Sequence, residues 1–355
     1  MRVKTLIPII CTTMIIFGCS SQYTFKEPIK SASQSSPEAK DLINKGIQAH
    51  DAKNYDQALQ FYQDVLKADS ANVEAMYEMA FSYFAKGDYQ KSLDVARKGA
   101  EYESPFLGGF YLLMGNDLDE LGKTQDAIKV YKSALKHFSN DHLLYYNLGV
   151  SYKKIQKYSD AKEAFKEAVK IKPTHPSSHI ALAEIFQAEG NTIPALLAYS
   201  RFLILEQNSQ RADYARSNIL KILNGNVSKE PNSNNINIYI NPDQSKSEGD
   251  FSVLNFGLSL IIASHMSEEG KKKSDQDVIT DAFSSLFQMM DELNSKEKSS
   301  GFTVEYYVPY FVELHKQNFT PAFCDLIFKK KEKSDESIDK FLKWSNSYNW
   351  SATAH

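Results

Sequence analysis

Residues 145–173 read YYNLGVSYKKIQKYSDAKEAFKEAVKIKP. A small residue, Gly149, stands twelve positions before a second, Ala161; a bulky Phe165 follows four later, and Pro173 closes the stretch. The arrangement recurs from residue 39 to about residue 208. Gly46, Ala80, Gly115, Gly149 and Ala183 are separated by 34, 35, 34 and 34 positions, and Ala58, Ser92, Ala127, Ala161 and Ala195 keep the same intervals. Tyr62, Tyr131, Phe165 and Tyr199 repeat the bulky position. Two small registers locked to one period of this length mean a repeat architecture.

Physically, each period is a helical pair whose small residues sit where two backbones approach closely, with the aromatic filling the space beside them. Gly87, Gly122 and Gly190 fall in three of the turns, where a left-handed residue can end a helix.

The pattern resembles the tetratricopeptide repeat. In the fourth unit Tyr145, Leu148, Gly149, Tyr152, Ala161, Phe165, Ala168 and Pro173 fill all eight positions of that family's pattern. The second unit departs most, with Ala96 at an aromatic position and Gly99 at an alanine position. The resemblance implies an all-α solenoid of about five repeats over residues 38–225, with Arg211 to Leu223 as a solvating helix that caps the open end. It also implies a concave groove lined by the first helices. Its positions are Ile43 and Ile47; Tyr77, Phe81 and Phe84; Leu112, Asn116 and Asp119; Tyr146, Val150 and Lys153; Ile180, Glu184 and Gln187. So apolar a face is expected to accept a helix or extended segment of a protein partner. Ile43 and Ile47 stand where chaperone-binding relatives carry a lysine and an asparagine, which disfavours recognition of a free acidic terminus.

At the amino terminus Arg2 and Lys4 precede an apolar run from Leu6 to Phe17 that ends at Gly18-Cys19. This resembles the lipoprotein signal of Gram-negative bacteria and implies a signal peptide over 1–18, lipid on Cys19 and attachment to a membrane. Ser20 follows Cys19 without the aspartate that retains enteric lipoproteins at the inner membrane, which implies an outer-membrane lipoprotein, periplasmic or surface-facing. Residues 19–37 are polar and serine-rich and are expected to form a flexible tether. With Cys11 removed and Cys19 modified, only Cys324 would remain, as a small buried hydrophobe.

Loss of Arg2 and Lys4 would leave 39 basic against 44 acidic side chains, a balance that argues against nucleic acid. The lysine clusters 271–273 and 329–331 sit beside acids such as Glu268, Glu269 and Glu332. No phosphate loop, dinucleotide fingerprint, zinc motif or nucleophile elbow is present, and no cofactor is expected. His175 and His179 are four apart, but His175 precedes Pro176 and lies before the first helical turn, so no metal site is expected. Asp117, Asp119 and Glu120 are adjacent on a helix and read as a solvated face.

Beyond the repeats, residues 226–249 form a linker in which Ile236, Ile238 and Ile240 alternate with polar residues, a strand signal that requires a partner. An intramolecular contact is the expected one, with the repeat groove as one place for it. Residues 250–349 carry helical patterns from Phe251 to Ile262 and Val278 to Met290, then aromatic clusters sufficient for a compact helical domain. The series Gly301-Phe302, Tyr306 to Phe311 and Pro321 to Phe323 resembles the tail of other Gram-negative repeat lipoproteins and implies architecture alone. Residues 350–355 are a tail. The sequence thus points to a membrane-anchored, non-catalytic adaptor, of the kind that serves outer-membrane assembly or secretion machines. The alternative is an enzyme or small-ligand binder built on Glu305, His315, Asp325 and Glu332 and recruited by the repeats.

Overall fold

The computed structural model describes residues 24–230, 233, 235–239, 246–267, 273–296, 300–328 and 335–350. The signal reading of 1–18, Cys19, Ile240, Glu332 and the tail after Trp350 lie outside the described residues. The fold is all-α. Ten helices form five antiparallel pairs: α1 (Pro37–Asp51) with α2 (Tyr55–Ala68), α3 (Val73–Lys86) with α4 (Tyr89–Gly99), α5 (Leu107–Glu120) with α6 (Thr124–Ala134), α7 (His142–Lys154) with α8 (Tyr158–Ile171), and α9 (Pro176–Ala188) with α10 (Thr192–Leu205). A further helix, α11 (Gln210–Asn224), packs on α10. The chain divides into two compact units, Met1–His137 and Phe138–His355, so the division falls inside the repeats and not at 226–249.

Within three pairs an aromatic ring lies on the bare backbone of the partner helix. A Cβ added at Gly46, Gly115 or Gly149 would come within 2.3, 2.1 and 2.6 Å of Tyr62, Tyr131 and Phe165. The second pair, with Ala80 and Ala96, lacks such a ring. Phe110 from α5 supplies one instead, over Gly99, where a Cβ would meet its Cζ at 2.2 Å. The two departures of the second unit are therefore one compensation.

The turn inside each pair places one residue in the left-handed region: Lys53 (φ 62°), Gly87 (88°), Gly122 (74°), Gln156 (60°) and Gly190 (76°). The hydrogen bonds are shared. Gln156 N–H reaches the Lys153 carbonyl at 3.0 Å and Lys157 N–H the Tyr152 carbonyl at 2.9 Å, as Gly87 and Asp88 do to Phe84 and Tyr83.

In the first unit the stretch expected to be a tether is held over its described part. Phe25 stacks on His137 at 3.7 Å and on Tyr111 at 4.9 Å, and its N–H donates to Ser133 Oγ at 2.7 Å. Strand β1 (Lys30–Ser31) pairs in parallel with β2 (Tyr102–Glu103), and Ser35 Oγ donates to Glu74 at 2.8 Å. Low hydrophobicity did not leave this segment free because the loops between repeats offer it backbone and side-chain partners.

In the second unit the linker strand β4 (Ile236–Ile238) pairs antiparallel with β3 (Val227–Lys229), and both touch α12 (Ser252–His265). The strand's partner is therefore its own neighbour. The remaining helices, α13 (Asp275–Lys296), α14 (Phe302–Lys316), α15 (Thr320–Ile327) and α16 (Glu336–Ser347), share one continuous apolar core with α8 to α11. Tyr306 donates to the Val169 carbonyl at 2.8 Å, and the buried Lys166 donates to the fully buried Glu248 at 2.7 Å. Arg201, 1% exposed, lies beside the stacked rings of Tyr310 and Trp350, 5.0 and 4.8 Å from their centroids, and donates to Ser345 Oγ at 3.1 Å. The described part of residues 250–349 thus shares its core with the repeats, and α11 is covered: α12 packs against it and Arg216 donates to the Ile327 carbonyl. Asn318 (φ 59°) turns α14 into α15 as the repeats turn, but Phe311 and Phe323 stand where the repeats carry small residues.

Gly115→Ala is expected to lower the stability of the first unit by about 1–3 kcal/mol, because the buried Tyr131 ring has nowhere to move. Gln156→Gly should raise stability by up to about 1 kcal/mol, since the exposed Gln156 side chain pays the left-handed cost without return. Urea denaturation of the two variants beside the wild type measures both.

Candidate functional site

Three successive first helices of the second unit, α7, α9 and α11, stand side by side and line a groove of about 500 Å³. Tyr146, Val150 and Lys153 come from α7, Ser177, Ile180, Ala181 and Glu184 from α9, and Gln210, Arg211 and Tyr214 from α11, with Phe165 of α8 at its floor. The sequence-derived positions Tyr146, Val150, Lys153, Ile180 and Glu184 are all brought together here. Tyr214 and Arg211 lie on α11, the helix that the repeat pattern gives as a cap. A signal for them existed, since the 34-residue period carried once more from Ile180 and Glu184 lands on Tyr214 and Asn218.

The charged groups that line the groove are all paired. Lys153 bridges to Glu184 across neighbouring helices, and Arg211 bridges to Glu206 and donates to Ser177 Oγ at 3.0 Å. Such half-exposed pairs add little stability but keep the apolar floor free of an uncompensated charge. Gln187 does not face a partner; it accepts from Tyr199 at 2.8 Å and donates to Asn218 at 3.3 Å. At one end the edges of His142 and Tyr146 meet the His175 ring at 5.1 and 5.0 Å. Burial pushes the His175 imidazole down to about 4, helped by the nearby His142 and Arg211, so this end is neutral at pH 7. His179 is fully buried and both ring nitrogens are used, by Tyr307 Oη at 2.7 Å and the Pro173 carbonyl at 2.9 Å.

In the first unit the expected groove positions behave differently. Ile43 is 1% exposed and belongs to the core between α1 and α2. Ile47 packs against that core. Tyr77 rests on Phe106 and Phe110, Phe84 on Tyr89, and Asn116 accepts from Tyr131 at 2.7 Å. Leu112 and Asp119 are half-buried, and Phe81 stays 42% exposed, stacked on His50 at 4.9 Å.

The solvated face expected at Asp117, Asp119 and Glu120 is also corrected: Asp117 is fully buried while Glu120 is exposed. Adjacent positions on a helix point in different directions, and Asp117 points inward. Of the residues weighed for chemistry, Glu305 faces the Gly301 N–H at 3.4 Å, His315 is bonded to Thr320 Oγ1 at 3.0 Å, and Asp325 accepts from Gln276 at 3.2 Å. Each serves its own helix end or neighbour, and the structure does not bring them together.

Residues 49–103 and residues 142–175 each match a model of the tetratricopeptide repeat. The chain carries tetratricopeptide repeats. Among curated proteins it is similar to the TPR repeat-containing protein MJ1428 of Methanocaldococcus jannaschii, at 27% identity over 43% of this chain and 28% of that protein. It is also similar to the probable UDP-N-acetylglucosamine–peptide N-acetylglucosaminyltransferase SPINDLY of Hordeum vulgare, at 31% identity over 37% of this chain and 15% of that protein. The match thus spans less than a third of these relatives' length. Among solved structures, the thermophilic TPR protein TTC0263 of Thermus thermophilus matches at 23% identity, 52% of this chain and 98% of that one, with a TM-score of 0.43. YrrB, a TPR protein with an unusual peptide-binding site, matches at 20% identity, 50% of this chain and 92% of that one, with a TM-score of 0.38. TPR scaffolds present grooves for protein–protein interaction, and the α7–α9–α11 groove is of that form.

Burial pushes the Asp117 carboxyl up to about 7, with Ser92 opposing the shift and Asp94 adding to it. Because the folded value lies above the unfolded one, stability is fully present below about pH 4 and is lost as pH rises through 7. Asp117→Asn should therefore stabilise the protein by about 2–4 kcal/mol at pH 8 and by much less at pH 4, a difference that thermal denaturation at the two pH values reads directly.

Proposed function

We propose that this chain is a lipid-anchored, non-catalytic TPR adaptor that holds a segment of a protein partner in the α7–α9–α11 groove. The observation that carries this reading is the groove itself. Its exposed and half-exposed surface is made by Tyr146, Val150 and Tyr214, its charges are already paired, and no segment among the described residues fills it. The linker hairpin lies on α12, and the carboxy-terminal helices pack on α10, the second helix of its pair. A partner that presents apolar side chains would displace water from these aromatics without breaking an ion pair.

The lipid on Cys19 supplies the second half of the reading. Its support is the sequence from Arg2 to Cys19, and Ser20 favours the outer membrane. In this reading the chain neither binds nucleic acid nor performs chemistry, and it serves an assembly or secretion machine of the envelope by keeping a partner near the membrane.

Tyr146→Ser with Tyr214→Ser removes the apolar wall at half-exposed positions and should leave the melting temperature close to that of the wild type. Photo-crosslinking from Val150 in intact cells is then expected to give a defined adduct with the wild type and to lose it in the double variant. An adduct that survives in the folded double variant would sink the groove reading.

A further inference from the structure

The segment from Phe25 to Ser35 runs along one edge of the first unit. That edge is built from the loops that follow α2 and α4 and from the end of α6: Ser33 N–H donates to the Ala71 carbonyl at 3.3 Å, Lys30 N–H to the Glu101 carbonyl at 3.0 Å, and Phe25 stacks on His137. The opposite edge carries the left-handed turns at Lys53, Gly87 and Gly122. The two edges are separated by the length of the helices, about 20 Å between Lys123 and Lys136 at 1.5 Å per residue.

We propose that this edge of the first unit, with the segment bound along it, is a surface that lies against a lipid bilayer, and that Ile29 is its apolar contact. The inference rests on the lipid-anchor reading of Cys19. Between Cys19 and the fixed ring of Phe25 there are six peptide steps, which span at most about 20 Å. The lipid therefore holds Phe25 and the α6 end within about 20 Å of the membrane, and only a fully extended chain laid flat along the helix would just reach the turn-bearing edge. Ile29 is 84% exposed, the most exposed large hydrophobic side chain among the described residues, although its backbone N–H is bonded to Glu101. An aliphatic side chain held rigidly outward at the edge nearest the anchor gains by entering the headgroup and acyl boundary. Lys26, Lys132 and Lys136 are exposed on the same segment and at the same end of α6, where lipid phosphates would meet them, but Glu27 and Glu103 are exposed beside them, so the contact rests on Ile29 and the anchor and not on net charge. The helices of the first unit then stand on the membrane by their ends, with the left-handed turns directed away from it.

The test places a polarity-sensitive maleimide fluorophore on Ile29→Cys, Lys136→Cys and Lys123→Cys variants of the full-length protein, all at exposed positions; Cys324 is fully buried and stays unlabelled in the folded chain. The lipidated proteins are reconstituted into phosphatidylcholine and phosphatidylglycerol vesicles that contain headgroup-nitroxide lipid. Residues 29 and 136 are expected to be quenched several-fold more than residue 123. Quenching at 29 alone, with 136 equal to 123, would show a leash and overturn the proposal, as would equal quenching at all three. Mass spectrometry of the amino-terminal peptide decides the anchor separately. If Cys19 carries no lipid, the anchor reading fails, and the unlipidated protein is tested on the same vesicles: quenching at 29 and 136 over 123 then supports the surface by itself, and its absence overturns it.

Discussion

An aromatic ring laid on bare backbone fixes how closely the two helices of a repeat approach, and the groove depends on that distance. Where Tyr62, Tyr131 and Phe165 cover Gly46, Gly115 and Gly149, the contact is made by a flat side of the ring and leaves no room for a Cβ. Within the second unit α7, α9 and α11 stand side by side, and Tyr146, Val150, Ile180 and Tyr214 present one surface. Phe110 over Gly99 shows that the space, and not the sequence position, is what must be filled.

The second unit adds a constraint of another kind. Its carboxy-terminal helices pack Phe283, Phe287, Phe311 and Phe323 on one another, and that packing runs without a break into the core of α8, α9 and α10. The buried Arg201 guanidinium, beside the stacked Tyr310 and Trp350 rings, joins a repeat helix to the last described residues through aromatic rings and neutral acceptors. Removing any one of these partners would strand a charge away from water, which holds the repeats and the tail to one arrangement.

Much of this was legible in the sequence. The period placed all ten repeat helices and the five groove residues of α7 and α9 that the structure brings together. It did not reveal Lys53 and Gln156 as left-handed residues, because side-chain identity signals that conformation only when glycine or asparagine is present. Ile43 stands three residues before its small residue, as Tyr146 and Ile180 do, and the pattern carries no sign that it is covered by the α1–α2 core. The tether reading failed at Phe25 for a related reason: a polar segment with one ring and several backbone donors can be held by a surface that composition does not describe. The boundary at 226–249 was drawn from Asn, Ser, Pro and Gly, which mark a change of direction but say nothing of whether two cores merge.

The covering of α11 has a consequence for how such a chain can change over generations. Repeat arrays lengthen and shorten by duplication or loss of whole periods, because each copy presents to the next the same face that it receives. Here the face after α10 and α11 is taken by α12, by Arg216 on the Ile327 carbonyl and by the rings around Arg201. A new period inserted at that point would meet a surface made for one particular neighbour. Gaining a period at the carboxy-terminal end of the array would therefore require α12 and the contacts around Arg216 and Arg201 to be rebuilt together.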